Sequence, residues 1–191
     1  MVSNVAMHWA ATWILVLVLA AGVSVLLAVL YHTRFGTLLH EHIPERPRRR
    51  LFLASVSFFL TFLVVRLMVY AIEHHIPPFH YIILEGRHIH HLVFGILILL
   101  AVGYGWLSEI GTGTKESSLF VNRLMSLLYG VGAALTLDEF ALWLNLKDVY
   151  WTSQGRTSID AVILFGALLA IGAWGAPLFA ALTGGAKRPN T

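Results

Sequence analysis

The sequence alternates between five long apolar blocks and short polar breaks. The blocks cover residues 9–31, 51–72, 88–107, 124–146 and 159–182. Helices of about 20 to 24 residues are long enough to cross the roughly 30 Å hydrocarbon core of a bilayer. The breaks contain the turn-forming residues Pro44, Pro47, Pro77, Pro78, Gly111, Gly113 and Gly155. The pattern predicts an all-α fold, a bundle of five transmembrane helices in a single domain over residues 1–191.

Two questions concern the blocks themselves: whether the first is a signal peptide, and where the helix of the third begins. The first has no preceding positive charge and is longer than the 7–15 apolar residues of a signal peptide, so we predict a retained helix. The uninterrupted apolar part of the third, residues 92–107, gives a helix of only roughly 24 Å. We therefore predict that residues 88–91 form its first turn. His88 and His91 would then share a helix face, and His90 would point about 100° or more away.

Composition supports the membrane class. The 191 residues are 58% hydrophobic and 12% charged, whereas soluble domains carry roughly 25% charged residues. This balance argues against a disordered protein, a cytosolic enzyme and a nucleic-acid-binding domain. The chain has no cysteine, which excludes disulfides, thiolate metal sites and a cysteine nucleophile. Any metal would have to be bound by His, Asp and Glu.

The basic residues predict the orientation. Nine of the 13 Lys and Arg residues fall in breaks on one side of the bundle, three fall on the other side, and Arg66 lies within the second block. The positive-inside rule then places the N-terminus outside and the C-terminus in the cytoplasm. We expect a multi-pass protein of the cell membrane, most simply a bacterial inner membrane.

The net charge of +3 alone would be compatible with nucleic-acid binding, but the position of the basic residues predicts membrane lipids as partners and no nucleic acid. A basic run on the cytoplasmic rim would contact anionic headgroups, at about 1 kcal/mol per residue. It consists of Arg46, Arg48, Arg49 and Arg50. Homo-oligomer formation stays open.

Ionisable residues converge on the predicted outer half of the bundle. Asp138 and Glu139 lie roughly 10 Å below the outer end of the fourth block, and Arg66 lies roughly 9 Å below that of the second. Glu73 follows the second block, and Asp160 opens the fifth. Because a charged residue at membrane depth costs about 2.5–3.5 kcal/mol on insertion scales, we expect the deep charges to face the bundle interior and the histidines of the third block.

Imidazole and carboxylate together are ligands for zinc and non-haem iron. The candidate metal ligands are His88, His90, His91, Asp138, Glu139 and Glu73. In a metal-dependent enzyme acting on a lipid or another membrane-soluble substrate, we assign Glu139 as the general base and Arg66 as a catalytic charge that binds the substrate. The alternative is a structural ion pair in which Arg66 neutralises Asp138.

Two stretches carry a resemblance. RHIHHLVFG at residues 87–95, and LDEFALWL at 137–144 with DVYW at 148–151, resemble a group of uncharacterised bacterial integral membrane proteins. The resemblance covers the C-terminal half of the chain and implies no activity. The histidine string is also loosely similar to the histidine boxes of membrane desaturases and hydroxylases, but those families use several boxes with His-x-x-His-His spacing.

Two other functions stay open besides the metal-dependent enzyme. Asp, Glu and His in a membrane commonly relay protons or bind passing cations, which suits a component of proton or metal-cation transport. A small chain with short loops also suits a non-catalytic subunit of a membrane complex. Residues 92–107 are apolar apart from glycines and Tyr104, which disfavours a path that continues inward.

Overall fold

Helices make up nearly all of the chain that the computed structural model describes, which is residues 2–76, 83–84, 87–88, 90–113, 116–146 and 156–174. The helices are α1 (Val2–His32), α2 (Arg34–His42), α3 (Arg46–Glu73), α4 (Leu92–Leu107), α5 (Glu116–Asp138), α6 (Phe140–Asn145) and α7 (Arg156–Trp174). Between α3 and α4, β1 (Ile83–Leu84) pairs antiparallel with β2 (Arg87–His88) over two residues. The predicted all-α class is confirmed.

Three helices of the described chain are long and apolar enough to cross a membrane: α3, α5 over Ser118–Asp138, and α7. The bent pair Leu17–His32 and Gly36–His42, with an angle of 73° at the break, counts as a fourth if it forms one span. α4 is apolar but has only 16 residues. The described residues thus contain three or four candidate spans, and the predicted end of the fifth block at residue 182 lies outside them.

The outward faces of α3, α4 and α7 are apolar, which is consistent with membrane insertion. Large aliphatic side chains on these faces are exposed rather than buried in the bundle. They include Leu63, Leu67, Leu97, Leu100, Leu164 and Leu168. A soluble protein seldom exposes so continuous an apolar surface.

α5 lies at the centre of the bundle and contacts α1, α3, α4 and α7. Small residues make this close packing possible, as in other membrane helix pairs. Gly130 faces the backbone of Ala54 and the hydroxyl of Ser57 on α3, and a Cβ added to Gly95 of α4 would lie 2.8 Å from the carbonyl oxygen of Gly132. The glycines of α5 are therefore helix-packing positions.

Two predicted helix boundaries are wrong, and both lie at the ionisable residues. α4 begins at Leu92 and not at His88, because residues 87–88 pair as a strand and Glu139 Oε2 accepts the Leu92 N–H at 3.0 Å. The fourth block is not one helix, since Glu139 has non-helical backbone angles (φ −106°, ψ 23°) between α5 and α6. His90 and His91 consequently precede α4, and the predicted helical spacing of the histidines does not apply.

Candidate functional site

Five ionisable side chains meet near the end of α3, the start of α4 and the break after α5. Arg66 Nε is 2.6 Å from Asp138 Oδ1, and Asp138 Oδ2 is 3.2 Å from His91 Nε2. Glu139 Oε1 is 2.7 Å from His90 Nδ1 and 3.7 Å from His91 Nδ1. We call Arg66, His90, His91, Asp138 and Glu139 the polar network.

The polar network is buried at its centre and partly open at both ends. Asp138 is fully buried, and Glu139 and His91 are 7% and 8% exposed. The end members are more accessible, because 25% of the Arg66 side chain and 20% of the His90 side chain are exposed. Ionised groups in an apolar bundle are tolerated when they are paired, and these contacts supply the pairing.

The break in the helix brings Asp138 and Glu139 to the same neighbours. On a continuous helix, side chains adjacent in sequence point about 100° apart. Here the chain leaves the helix at Glu139, and the Ala141 N–H donates to Ser158 Oγ of α7 at 2.8 Å. Ser158 is buried and thus stabilises the break from outside the helix. As a result both acids lie within 4 Å of His91.

Glu139 also fixes where α4 starts. Its Oε2 accepts the N–H of Leu92, the first residue of α4, while its Oε1 is hydrogen-bonded to His90 Nδ1. A carboxylate at a helix N-terminus is favoured by the helix dipole and by the free N–H groups of the first turn. One side chain therefore links the break after α5 to the first turn of α4.

Arg66 is held by an aromatic ring as well as by Asp138. The guanidinium carbon of Arg66 lies 5.1 Å from the centroid of the Phe62 ring, one turn earlier on α3. Arginine commonly stacks on aromatic faces in this way. The ring and the carboxylate together orient the guanidinium toward the bundle.

The predicted site residues outside the polar network lie elsewhere or partly outside the described chain. Glu73 is exposed at the C-terminal end of α3, and Asp160 is exposed near the start of α7. The backbone of His88 belongs to β2, and its side chain lies outside the described residues. Of the predicted ligands, the structure thus brings together His90, His91, Asp138 and Glu139.

The side chains that the structure describes at this site do not form a metal-binding group. Among the described residues, no group of three or more His, Asp or Glu side chains could hold one. Each acid has an oxygen already committed to another partner, Glu139 Oε2 to the Leu92 N–H and Asp138 Oδ1 to Arg66. Binding of zinc or iron therefore stays a prediction from sequence without support from this geometry.

Two contributors were missed in the sequence, the Ser158 hydroxyl and the Phe62 ring. A hydroxyl residue that opens an apolar block is a signal for a capping role, but its partner on another helix is not visible in the sequence. Phe62 precedes Arg66 by four residues and so shares its helix face, which is a usable signal.

Comparison of the chain with protein-family models, curated proteins and solved structures yields no match.

Proposed function

We propose that the chain is an integral membrane protein of five spans, with the N-terminus outside, the C-terminus in the cytoplasm and the polar network at the outer end. The nine-to-three bias of Lys and Arg and the exposed apolar faces of α3, α4 and α7 support this placement. The short helix α4 serves as the remaining span. Its 16 residues extend roughly 24 Å, so the network at its N-terminus lies just below the outer surface.

Within this protein, the function we propose for the polar network is metal-free acid–base chemistry: it takes up a proton and releases it at the outer face. The observation that supports this most strongly is the hydrogen bond of 2.7 Å between His90 Nδ1 and Glu139 Oε1. This distance is within the range for proton transfer between a side-chain acid and base. His91 lies 3.7 Å from the same oxygen, so both imidazoles have access to one carboxylate.

The charge balance of the polar network favours binding of one proton. With both imidazoles neutral, the network contains one guanidinium and two carboxylates, a net charge of −1. Burial in an apolar bundle favours a net charge of zero for the polar network. One additional proton, shared by Glu139 and the two imidazoles, balances the network, and partly exposed His90 is its entry point.

The described residues on the inward side of the polar network favour local proton exchange over conduction through the bundle. Two of the buried hydroxyls on α3 and α5 are used within their own helices, since Ser57 donates to the Leu53 and Ala54 carbonyls and Thr136 donates to the Gly132 carbonyl. The buried residues of α4 are Leu92, Gly95, Val102 and Gly105. A proton released by Glu139 therefore returns toward His90, either to water or to a membrane-soluble substrate at the outer face.

We expect Glu139→Gln to abolish this proton exchange in the purified full-length chain. Glutamine removes the excess negative charge but keeps an oxygen that accepts the Leu92 N–H, so the helix start is retained. Infrared difference spectra between acidic and alkaline conditions should show coupled carboxylate and imidazole bands in the wild type and lose them in the variant. Asp160→Asn, which removes an exposed carboxylate near the same end, should leave these bands unchanged.

Two outcomes would contradict the proposal. Persistence of the coupled bands in Glu139→Gln would show that the proton is held elsewhere. Elemental analysis of the same preparation addresses the metal-dependent enzyme directly: about one zinc or iron per chain that is lost in His91→Ala would overturn the metal-free proposal. Spectra that lose the bands, together with protein free of stoichiometric metal, would support it.

A further inference from the structure

A second set of polar groups lies at the opposite end of α3, where Arg50 turns toward the bundle. The guanidinium carbon of Arg50 is 5.8 Å from the ring centroid of Trp106 on α4. Arg50 Nε and Trp106 Nε1 are both buried, and neither has a hydrogen-bond acceptor in the part of the chain that the structure describes. Buried N–H donors are almost always satisfied in proteins, so these two indicate an acceptor that comes from outside the described chain.

A cavity of about 410 Å³ adjoins these two donors, between α3, α4, α5 and α7. Its other walls are apolar or aromatic and include Leu51, Tyr129 and Phe165. Leu168, which also lines the cavity, is 62% exposed on the outward face of α7. The cavity therefore combines two N–H donors at one end with an apolar chamber that opens toward the side of the bundle.

Arg50 differs from the neighbouring arginines in having no acceptor among the described residues. Arg46 donates to the Thr112 carbonyl, Arg48 to the Ala173 carbonyl and to Glu45, and Arg49 to the Ile43 and Pro44 carbonyls. These side chains concentrate positive charge at this end of the bundle. None of the described residues that line the cavity is Asp or Glu, so the charge of Arg50 is complementary to an anion.

We propose that this cavity binds an anionic phospholipid, with its phosphate between Arg50 Nε and Trp106 Nε1 and one acyl chain against Leu51 and Phe165. A phosphate provides the acceptor oxygens that both donors need, and an acyl chain matches the apolar walls. Anionic lipids are concentrated in the cytoplasmic leaflet, where the proposed topology places Arg50. The inference rests on that topology and is independent of the chemistry of the polar network.

The test is native mass spectrometry of the full-length chain in detergent, titrated separately with phosphatidylglycerol and phosphatidylcholine. The wild type should bind one phosphatidylglycerol in preference to phosphatidylcholine. Arg50→Gln should weaken phosphatidylglycerol binding by about tenfold or more, the loss expected for a charge-assisted hydrogen bond to phosphate. Trp106→Phe keeps the ring, removes the second donor and should weaken binding in the same direction.

Arg123→Gln is the matched control. It removes a positive charge that stacks on Tyr31 at 5.2 Å and does not line the cavity. It should change phosphatidylglycerol binding by less than about twofold. Equal weakening by Arg50→Gln and Arg123→Gln would mean general attraction of lipid to a basic surface, and equal binding of the two lipids would mean that no phosphate site exists. Either result would overturn the proposal while leaving the infrared test of the polar network unaffected.

Discussion

Replacing Arg66 with methionine is expected to lower the free energy of unfolding by about 3–5 kcal/mol, the usual cost of breaking a buried ion pair. The fully buried carboxylate of Asp138 would lose the guanidinium 2.6 Å away, and the net charge of the network with neutral imidazoles would become −2. The double variant Arg66→Met with Asp138→Asn restores that charge to −1. It should therefore recover most of the lost stability, as measured by denaturant unfolding in detergent.

The exposed ion pair between Arg48 and Glu45 provides the comparison. Its atoms are 3.1 Å apart, but 55% of the Glu45 side chain is exposed. Glu45→Gln should change the unfolding free energy by no more than about 1 kcal/mol, as for most surface pairs. If Arg66→Met costs as little as Glu45→Gln, or if the double variant is no more stable than Arg66→Met, the proposed burial and coupling of Arg66 and Asp138 are wrong.

Adding one methyl group to α5 by Gly130→Ala is expected to destabilise the bundle by about 1–3 kcal/mol or more, the typical cost of overpacking. The new Cβ would collide with the Ala54 carbonyl and the Ser57 hydroxyl of α3. Because the Ala54 carbonyl belongs to the backbone of α3 and cannot rotate away, α3 and α5 would have to separate. Thermal or denaturant unfolding of the purified chain measures the loss.

Gly103→Ala on α4 is the control, because it adds the same methyl group at a position where no neighbouring helix of the described chain is in contact. A Cβ at Gly103 would meet nothing within 4 Å. Gly103→Ala should therefore be neutral or stabilise the protein by up to about 1 kcal/mol, because alanine favours helix over glycine. Opposite effects of the two substitutions are expected. Similar effects would show that helix propensity dominates and that α3 and α5 do not pack closely at Gly130.

The pairing of Arg66 with Asp138 could be anticipated from the sequence, because ionisable groups within apolar blocks must face the interior and find partners. Hydrophobic block length likewise predicts helices near all five blocks. The packing role of the small residues around Gly130 follows from the same reasoning. These features depend on solvation and on local spacing, both of which are visible in one sequence.

The start of α4 and the break at Glu139 could not be anticipated in the same way. Both depend on partners distant in sequence, since Glu139 accepts the Leu92 N–H and Ser158 accepts the Ala141 N–H. The apolar pattern continues through both positions and favours uninterrupted helices. The tertiary hydrogen bonds override it, and they place His90 as well as His91 against the acids.

Labelling of single cysteines in intact cells shows whether the chain is a membrane bundle whose polar network lies at the outer end. The native chain has no cysteine, so each introduced thiol is unique. Ile76→Cys lies just beyond α3 on the side of the polar network, and Gly113→Cys follows α4 at the other end. A membrane-impermeant thiol reagent applied outside should label Ile76→Cys and should label Gly113→Cys only after the cells are opened. Labelling of Gly113→Cys from outside, with Ile76→Cys protected, would place the polar network at the cytoplasmic face and contradict the proposed orientation.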